Sequence, residues 1–172
     1  MDALRAGRDV AAPNWVIGAG AVRDLIFDHI RGASAPVPRD VDYAYYDPVD
    51  LTSETEAELE ESLGRLAPGL PFEARNQARV HLWYERRFGV PIEPYLSIEQ
   101  AVSTWPETAT AVACRLNRDD ALEVIAPLGL TDLFDGVLRR NPAQITEEMF
   151  DQRLRRRPDL SRRWPRVRVV RG

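Results

Sequence analysis

The reading of this chain turns on residues 15–26, Trp15-Val16-Ile17-Gly18-Ala19-Gly20-Ala21-Val22-Arg23-Asp24-Leu25-Ile26. A short apolar run meets Gly18-Ala19-Gly20, and Val22, Leu25, Ile26 and Ile30 then recur at helical spacing. That pattern predicts a buried strand entering a helix through a glycine turn. A loop over 31–39, punctuated by Gly32, Pro36 and Pro38, leads to Val41-Asp42-Tyr43-Ala44-Tyr45-Tyr46. Those β-branched and aromatic residues predict a second strand. Residues i and i+2 of a strand share a face, so Asp40 and Asp42 stand side by side at its start.

Outward from this centre, residues 1–13 read as a loose N-terminal arm without periodicity. Ser53 and Glu56 form a capping-box pattern before Leu59, Leu63 and Leu66, and Pro68-Gly69 ends that helix. Residues 71–84 read as a long strand, with Asn76–Arg79 a point of breakage or bulging. A short helix at Ile98–Val102 precedes strands at 109–116 and 122–125, hinged at Asn117-Arg118-Asp119-Asp120. A helix follows Gly129, and a last one runs from Met149 to Arg157, capped by Thr146. Residues 140–172 form an Arg-rich helix and tail. The expected fold is α/β (α+β): one domain over 1–172, a mixed sheet with short connections.

Composition narrows the function classes. At 44% hydrophobic and 29% charged residues the chain is an ordinary globular one, not collagen-like or disordered. No stretch approaches the apolar length of a membrane span, and the N-terminus lacks a secretory core, so a cytoplasmic, membrane-free protein is expected. One cysteine, Cys114, and two histidines exclude a disulfide framework and a zinc cluster; a buried, inert thiol is expected. All 23 basic residues are arginine, which reads first as base-composition bias. Residues 137–172 hold 11 arginines against 4 acids, whereas the first 136 hold 12 against 23. An acidic body with a basic tail can mark an anionic partner.

The chemistry lies in two motifs one helix apart. Paired carboxylates repel unless a hard cation sits between them, and magnesium takes oxygen ligands. A glycine turn that opens a helix offers N–H groups and a positive dipole end to phosphate. Together they equip phosphoryl or nucleotidyl transfer. The plainer alternative is a solvated loop edge beside an ordinary chain turn.

Gly20-Ala21-Val22-Arg23-Asp24 followed by Asp40-Val41-Asp42 resembles the nucleotidyltransferase signature of the DNA polymerase beta superfamily, in the spelling of CCA-adding tRNA nucleotidyltransferases. The wider match is to a group of small bacterial nucleotidyltransferases of unassigned substrate. It is carried by Asn76-Gln77-Ala78-Arg79-Val80-His81, Trp105-Pro106-Glu107-Thr108, Ala126-Pro127-Leu128-Gly129 and Trp164-Pro165, and it spans 15–165. The resemblance implies the nucleotidyltransferase fold, a mixed sheet with helices packed mainly on one side. It implies two magnesium ions on Asp40 and Asp42, an NTP substrate and a third carboxylate on a neighbouring strand. Glu73, within Phe72-Glu73-Ala74, is the candidate and Asp132 the alternative. Gly18, Ala19 and Gly20 would cradle the β- and γ-phosphates, although CCA-adding enzymes carry two adjacent glycines where this chain has Ala19-Gly20. The acceptor is unspecified.

Around this centre, Arg23 and Arg79 are expected to bind nucleotide, Arg79 alternatively pairing with Asp40 or Asp42. In an extended strand Gln77, Arg79 and His81 share a face while Asn76 points away; Asn76, Gln77 and His81 are expected to support the site. His29 reads as solvated, and Tyr43, Tyr45, Tyr46, Trp83, Trp105 and Trp164 read as packing residues. Nucleic-acid binding by Arg155-Arg156-Arg157 and Arg162-Arg163 is possible on charge but not favoured, since Trp164 is the tail's one aromatic in reach. The rival class is an inactive nucleotide- or partner-binding protein on the same fold.

Overall fold

The computed structural model describes residues 1–34 and 36–171; Ala35 of the predicted 31–39 loop and Gly172 of the tail lie outside the described residues. Strand β1 (Val16–Gly18) runs into helix α2 (Ala19–Ile30), and β2 (Val41–Tyr45) returns antiparallel to β1. Helix α3 (Glu54–Leu66) then crosses to β3 (Phe72–Asn76), which lies parallel to β2. Strands β4 (Ala113–Leu116) and β5 (Leu122–Ile125) complete a five-stranded mixed sheet of order β3-β2-β1-β4-β5. This is the mixed sheet that the family resemblance leads one to expect.

Alternation along the strands sorts the two faces. Ile17, Val41, Tyr43, Tyr45 and Ala74 point to one core with Trp15 and Leu63, covered by α3 and by helix α1 (Asp2–Val10). Val16, Ala44 and Ala113 point the other way, toward Ile98 and Val102 of α5 (Ile98–Ser103). Asp42 is on this second face, since it pairs with Gly18 two residues along from the Val16–Ala44 pair. The free edge of β3 is sealed by acids of α3: Glu60 accepts the N–H of Ala74 at 2.9 Å and Glu56 that of Asn76 at 2.9 Å. An unpaired strand edge is a hazard, and these carboxylates occupy it.

Several sequence expectations change. The arm over 1–13 contains a helix, ended by Ala11 in the left-handed region at φ 54°. Its buried stripe is small, Ala6 and Gly7, because a Cβ on Gly7 would come within 2.6 Å of the Trp15 ring. Ser53 makes no side-chain cap, and Glu56 serves the β3 edge instead. The long strand over 71–84 stops at Asn76, whose side chain accepts the N–H of Ala78 and starts a 3-10 turn at Gln77–Arg79. Helix α4 (His81–Phe88) follows, so Gln77, Arg79 and His81 do not share a strand face. The 109–116 strand begins as a 3-10 turn at Thr108–Thr110.

The C-terminal third is folded onto the body. Helix α6 (Thr131–Phe134) leads to β6 (Val137–Arg139), α7 (Glu147–Arg155) is capped by Thr146 as expected, and α8 (Leu160–Arg163) precedes β7 (Arg168–Val170), which pairs parallel with β6. Trp164 packs edge-on against Phe27 and donates to Asp28 at 2.9 Å. Among the described residues no helix is long and apolar enough to cross a membrane.

Candidate active site

Asp42 sits at the centre of three strands. In register it faces Gly18 on β1 and Glu73 on β3, and Asp40 precedes it at the exposed start of β2. Burial, then the neighbouring charges of Asp40 and Glu73, push the Asp42 carboxyl up to about 6; a hydrogen bond from the Gly20 backbone and the charge of Arg153 pull the other way. The chain thus concentrates three carboxylates at one end of the sheet, with the least exposed of them, Asp42, at the centre.

The turn divides its duties. Gly18 is a packing position: a Cβ there would stand 2.6 Å from the Trp105 ring and 2.7 Å from the Val112 carbonyl oxygen. Ala19 takes φ 52°, a left-handed conformation that favours glycine, and donates its N–H to Val112 at 3.2 Å. Gly20 lies against the carboxylate edge, where a Cβ would be 3.6 Å from Asp40 Oδ1. The first-turn amides beyond Gly20 have no preceding helical turn to bond and remain the phosphate donors the turn can offer.

Among the described residues no group of three or more His, Cys, Asp or Glu is arranged to hold a metal ion. The donor chemistry nevertheless suits magnesium: Asp40 and Asp42 offer hard carboxylate oxygens on one strand end, and the charge of Asp40 raises the cost of ionising Asp42. Glu73 on the next strand forms an exposed ion pair with Arg75 at 3.6 Å. The alternative third acid, Asp132, is occupied elsewhere, accepting from Thr108 at 2.6 Å and Arg139 at 2.8 Å.

Arg23 differs from the free phosphate ligand the sequence suggested. It is 4% exposed, near Gly20, and its guanidinium is spent on Asp24 and on the fully buried Glu107 at 3.0 Å. Arg157 reaches the same carboxylate at 3.0 Å and Arg153 lies 3.5 Å away, so three arginines hold Glu107 well below the usual carboxylate range despite burial. Arg79 pairs with neither aspartate; it donates to the Leu51 carbonyl at 3.0 Å and to Glu56 at 3.1 Å. Asn76 is wholly buried, and its side-chain amide binds the Asp47 and Asp50 carbonyls, each at 2.8 Å, fixing the segment after β2. Gln77 is buried and donates to Arg75, while His81 is half-buried on α4 with an unpartnered Nδ1. His29 is exposed, as expected.

Sequence reasoning missed Arg153 and Glu107. The Trp105-Pro106-Glu107 phrase contained the second, but only the fold shows that Arg23 and Arg153, 130 positions apart, meet there. Arg153 was legible solely as one of many tail arginines.

The chain belongs to a nucleotidyltransferase family, whose model matches residues 5–169. An NMR structure said to reveal a CCA-adding enzyme head domain is 26% identical, with a TM-score of 0.82, covering 99% of this chain and 88% of that one. The Thermotoga maritima CCA-adding enzyme complexed with tRNA is 21% identical at TM-score 0.54, covering 99% of this chain but 38% of its own. A tRNA-processing enzyme with CTP is 19% identical at TM-score 0.55, covering 98% of this chain and 43% of its own. These two longer proteins share the fold, and the chain spans about two-fifths of each. No curated protein matches the chain. The family and fold together define a nucleotidyltransferase, an enzyme that draws on nucleoside triphosphates.

Proposed function

We propose that this chain is a magnesium-dependent nucleotidyltransferase that moves a nucleoside monophosphate from an NTP to a hydroxyl of an acceptor, with Asp40, Asp42 and Glu73 as its essential carboxylates. The observation that supports this most directly is the register Gly18–Asp42–Glu73, which brings the turn and the acids to one sheet end. Two magnesium ions, when bound, would neutralise triphosphate charge and make the acceptor hydroxyl more acidic. Asp40 and Asp42 would hold them, with Glu73 completing the set after leaving Arg75.

The remaining work falls to positioning. The amides that follow Gly20 bind the β- and γ-phosphates and orient the α-phosphorus over Asp42. Gly18 lets β1 approach Trp105 and Val112 closely enough to hold the turn in place. Arg23 acts on this turn through Glu107 and Asp24 rather than on phosphate. An acceptor oxygen then bonds the α-phosphorus, the bond to the bridging oxygen breaks, pyrophosphate leaves, and the hydroxyl proton passes to solvent. A nucleic-acid acceptor remains a weaker reading, because Arg157 and Arg163 of the tail runs are paired with Glu107, Asp24 and Asp28.

The test is pyrophosphate release with magnesium and each NTP, over an acceptor panel. Asp40→Asn and Asp42→Asn should each reduce it at least about a thousandfold while circular dichroism stays unchanged. Full turnover in either variant would refute the assignment; nucleotide binding without turnover by the parent would favour the inactive-fold rival.

A further inference from the structure

On the β3 side of Asp42 lies a cleft of about 640 Å³. It opens on the same sheet face as the acids. Arg75, which lines it, follows Glu73 by two residues and pairs with Ala44, itself two residues beyond Asp42. Trp105, which also lines it, packs over Gly18. Arg153 also lines the cleft and lies 3.5 Å from Glu107, the buried acid that Arg23 engages beside Gly20.

Six arginines line this cleft, Arg75, Arg79, Arg86, Arg87, Arg153 and Arg156, against a single acid, Glu56, which Arg79 already engages. In a chain with more acids than bases, that is a local excess of unmatched positive charge. Among the described residues Arg86, Arg87 and Arg156 form no ion pair, whereas Arg75, Arg79 and Arg153 are engaged by Glu60, Glu56 and Glu107. Trp83 stands among them with the Arg87 guanidinium 6.0 Å from its ring centre, a surface that accepts a planar ring beside an anion. The volume is that of a small-molecule site.

We infer that this cleft is the acceptor site and that the acceptor is a small phosphorylated compound carrying a planar ring and a hydroxyl. The inference rests on the transferase reading above, and the order of strands supplies its geometry. The glycine turn follows β1 and Arg75 of the cleft wall stands on β3, with Asp42 on β2 between them. Attacking and leaving oxygens lie roughly in line across the transferred phosphorus. With pyrophosphate departing toward the turn, the hydroxyl arrives from the β3 side, where Arg75 lines the cleft. Charge-matched guanidinium forks then fix the acceptor by its phosphate and leave its hydroxyl free.

The experiment is calorimetric titration of AMP into the full chain saturated with magnesium and α,β-methylene-ATP, so that the donor position is filled. One further equivalent of AMP should bind, and adenosine, lacking the phosphate, should not. The double variant Arg86→Gln, Arg87→Gln removes two exposed charges; it should weaken AMP by about tenfold or more and leave the ATP analogue within about twofold. AMP that fails to bind the loaded chain, or binds the double variant equally well, would overturn the inference. So would an eight-nucleotide RNA that binds more tightly than AMP, since the site would then serve a polymer. If the ATP analogue itself does not bind, the transferase reading fails, and AMP titrated into the free chain and the double variant still decides whether the cleft is an anion site.

Discussion

The Asp42 carboxyl keeps its proton to about pH 6 in the folded chain, because burial and the charges of Asp40 and Glu73 oppose ionisation. An unfolded aspartate releases it near 4. The folded form therefore binds more protons between those values, and Asp42 favours folding below pH 4 and opposes it progressively as the pH rises through 6. In metal-free protein at pH 8 the cost is on the order of 2–3 kcal/mol. Asp42→Asn should consequently unfold at a higher temperature than the parent at pH 8 in the presence of EDTA, and the gap should close at pH 4. Magnesium should raise the parent's midpoint and leave the variant's where it was; thermal scans at the two pH values check both. The adjacent turn carries the opposite kind of constraint. Gly18→Ala puts a methyl against a backbone oxygen that cannot rotate away, so equilibrium denaturation should record a loss of about 1–3 kcal/mol. Ala19→Gly relieves a left-handed alanine and should be neutral or gain up to about 1 kcal/mol.

Among elements, the contacts that matter most join segments far apart in sequence. Glu107 is fully buried with Arg23 from α2 and Arg153 and Arg157 from the α7 region around it. Removing the single carboxylate would leave the buried Arg23 with Asp24 alone and the half-buried Arg157 without its acid, a loss of about 3–5 kcal/mol. Glu107→Gln should show that loss in urea denaturation, together with protease cleavage within 147–163 in the native state; resistance equal to the parent's would mean that α7 is held by apolar contacts alone. The same contacts explain what was legible beforehand. The β1 turn, α2 and β2 could be read because periodicity and glycine punctuation are local signals, and Asp40 and Asp42 came with them. Helix α1 could not, because its buried stripe is made of Ala6 and Gly7 rather than large apolar residues. The strand predicted over 71–84 was cut short by one side-chain bond, Asn76 to the Ala78 N–H. The arginine cleft was invisible for a different reason: Arg75, Arg87 and Arg153 approach one another only once β3, α4 and α7 are in place.

For the whole molecule, the charge asymmetry has a structural use. The acidic body receives the basic C-terminal segment through Arg163 on Asp24 at 3.0 Å and on Asp28 at 2.6 Å, and through the Glu107 cluster. Exposed ion pairs contribute little individually, but these accompany apolar burial: Phe150 and Leu138 are fully enclosed, Trp164 is 5% exposed, and β7 completes a two-stranded sheet with β6. The segment is therefore part of the core and also supplies Arg153 and Arg156 to the cleft wall. A chain ending at residue 145 would expose Phe27 and Leu138 and strip the fully buried Asp28 of Arg163 and the Trp164 N–H, leaving it Arg31 at 3.3 Å. At about 2–5 kcal/mol for each large core side chain withdrawn, that exceeds the margin of a typical domain. The truncated chain should lack a cooperative thermal transition and its near-ultraviolet circular dichroism, whereas the full chain in 0.5 M salt should keep both, because the docking depends on buried groups that salt screens weakly. Loss of the cooperative transition in salt alone would instead assign the attachment to surface charge.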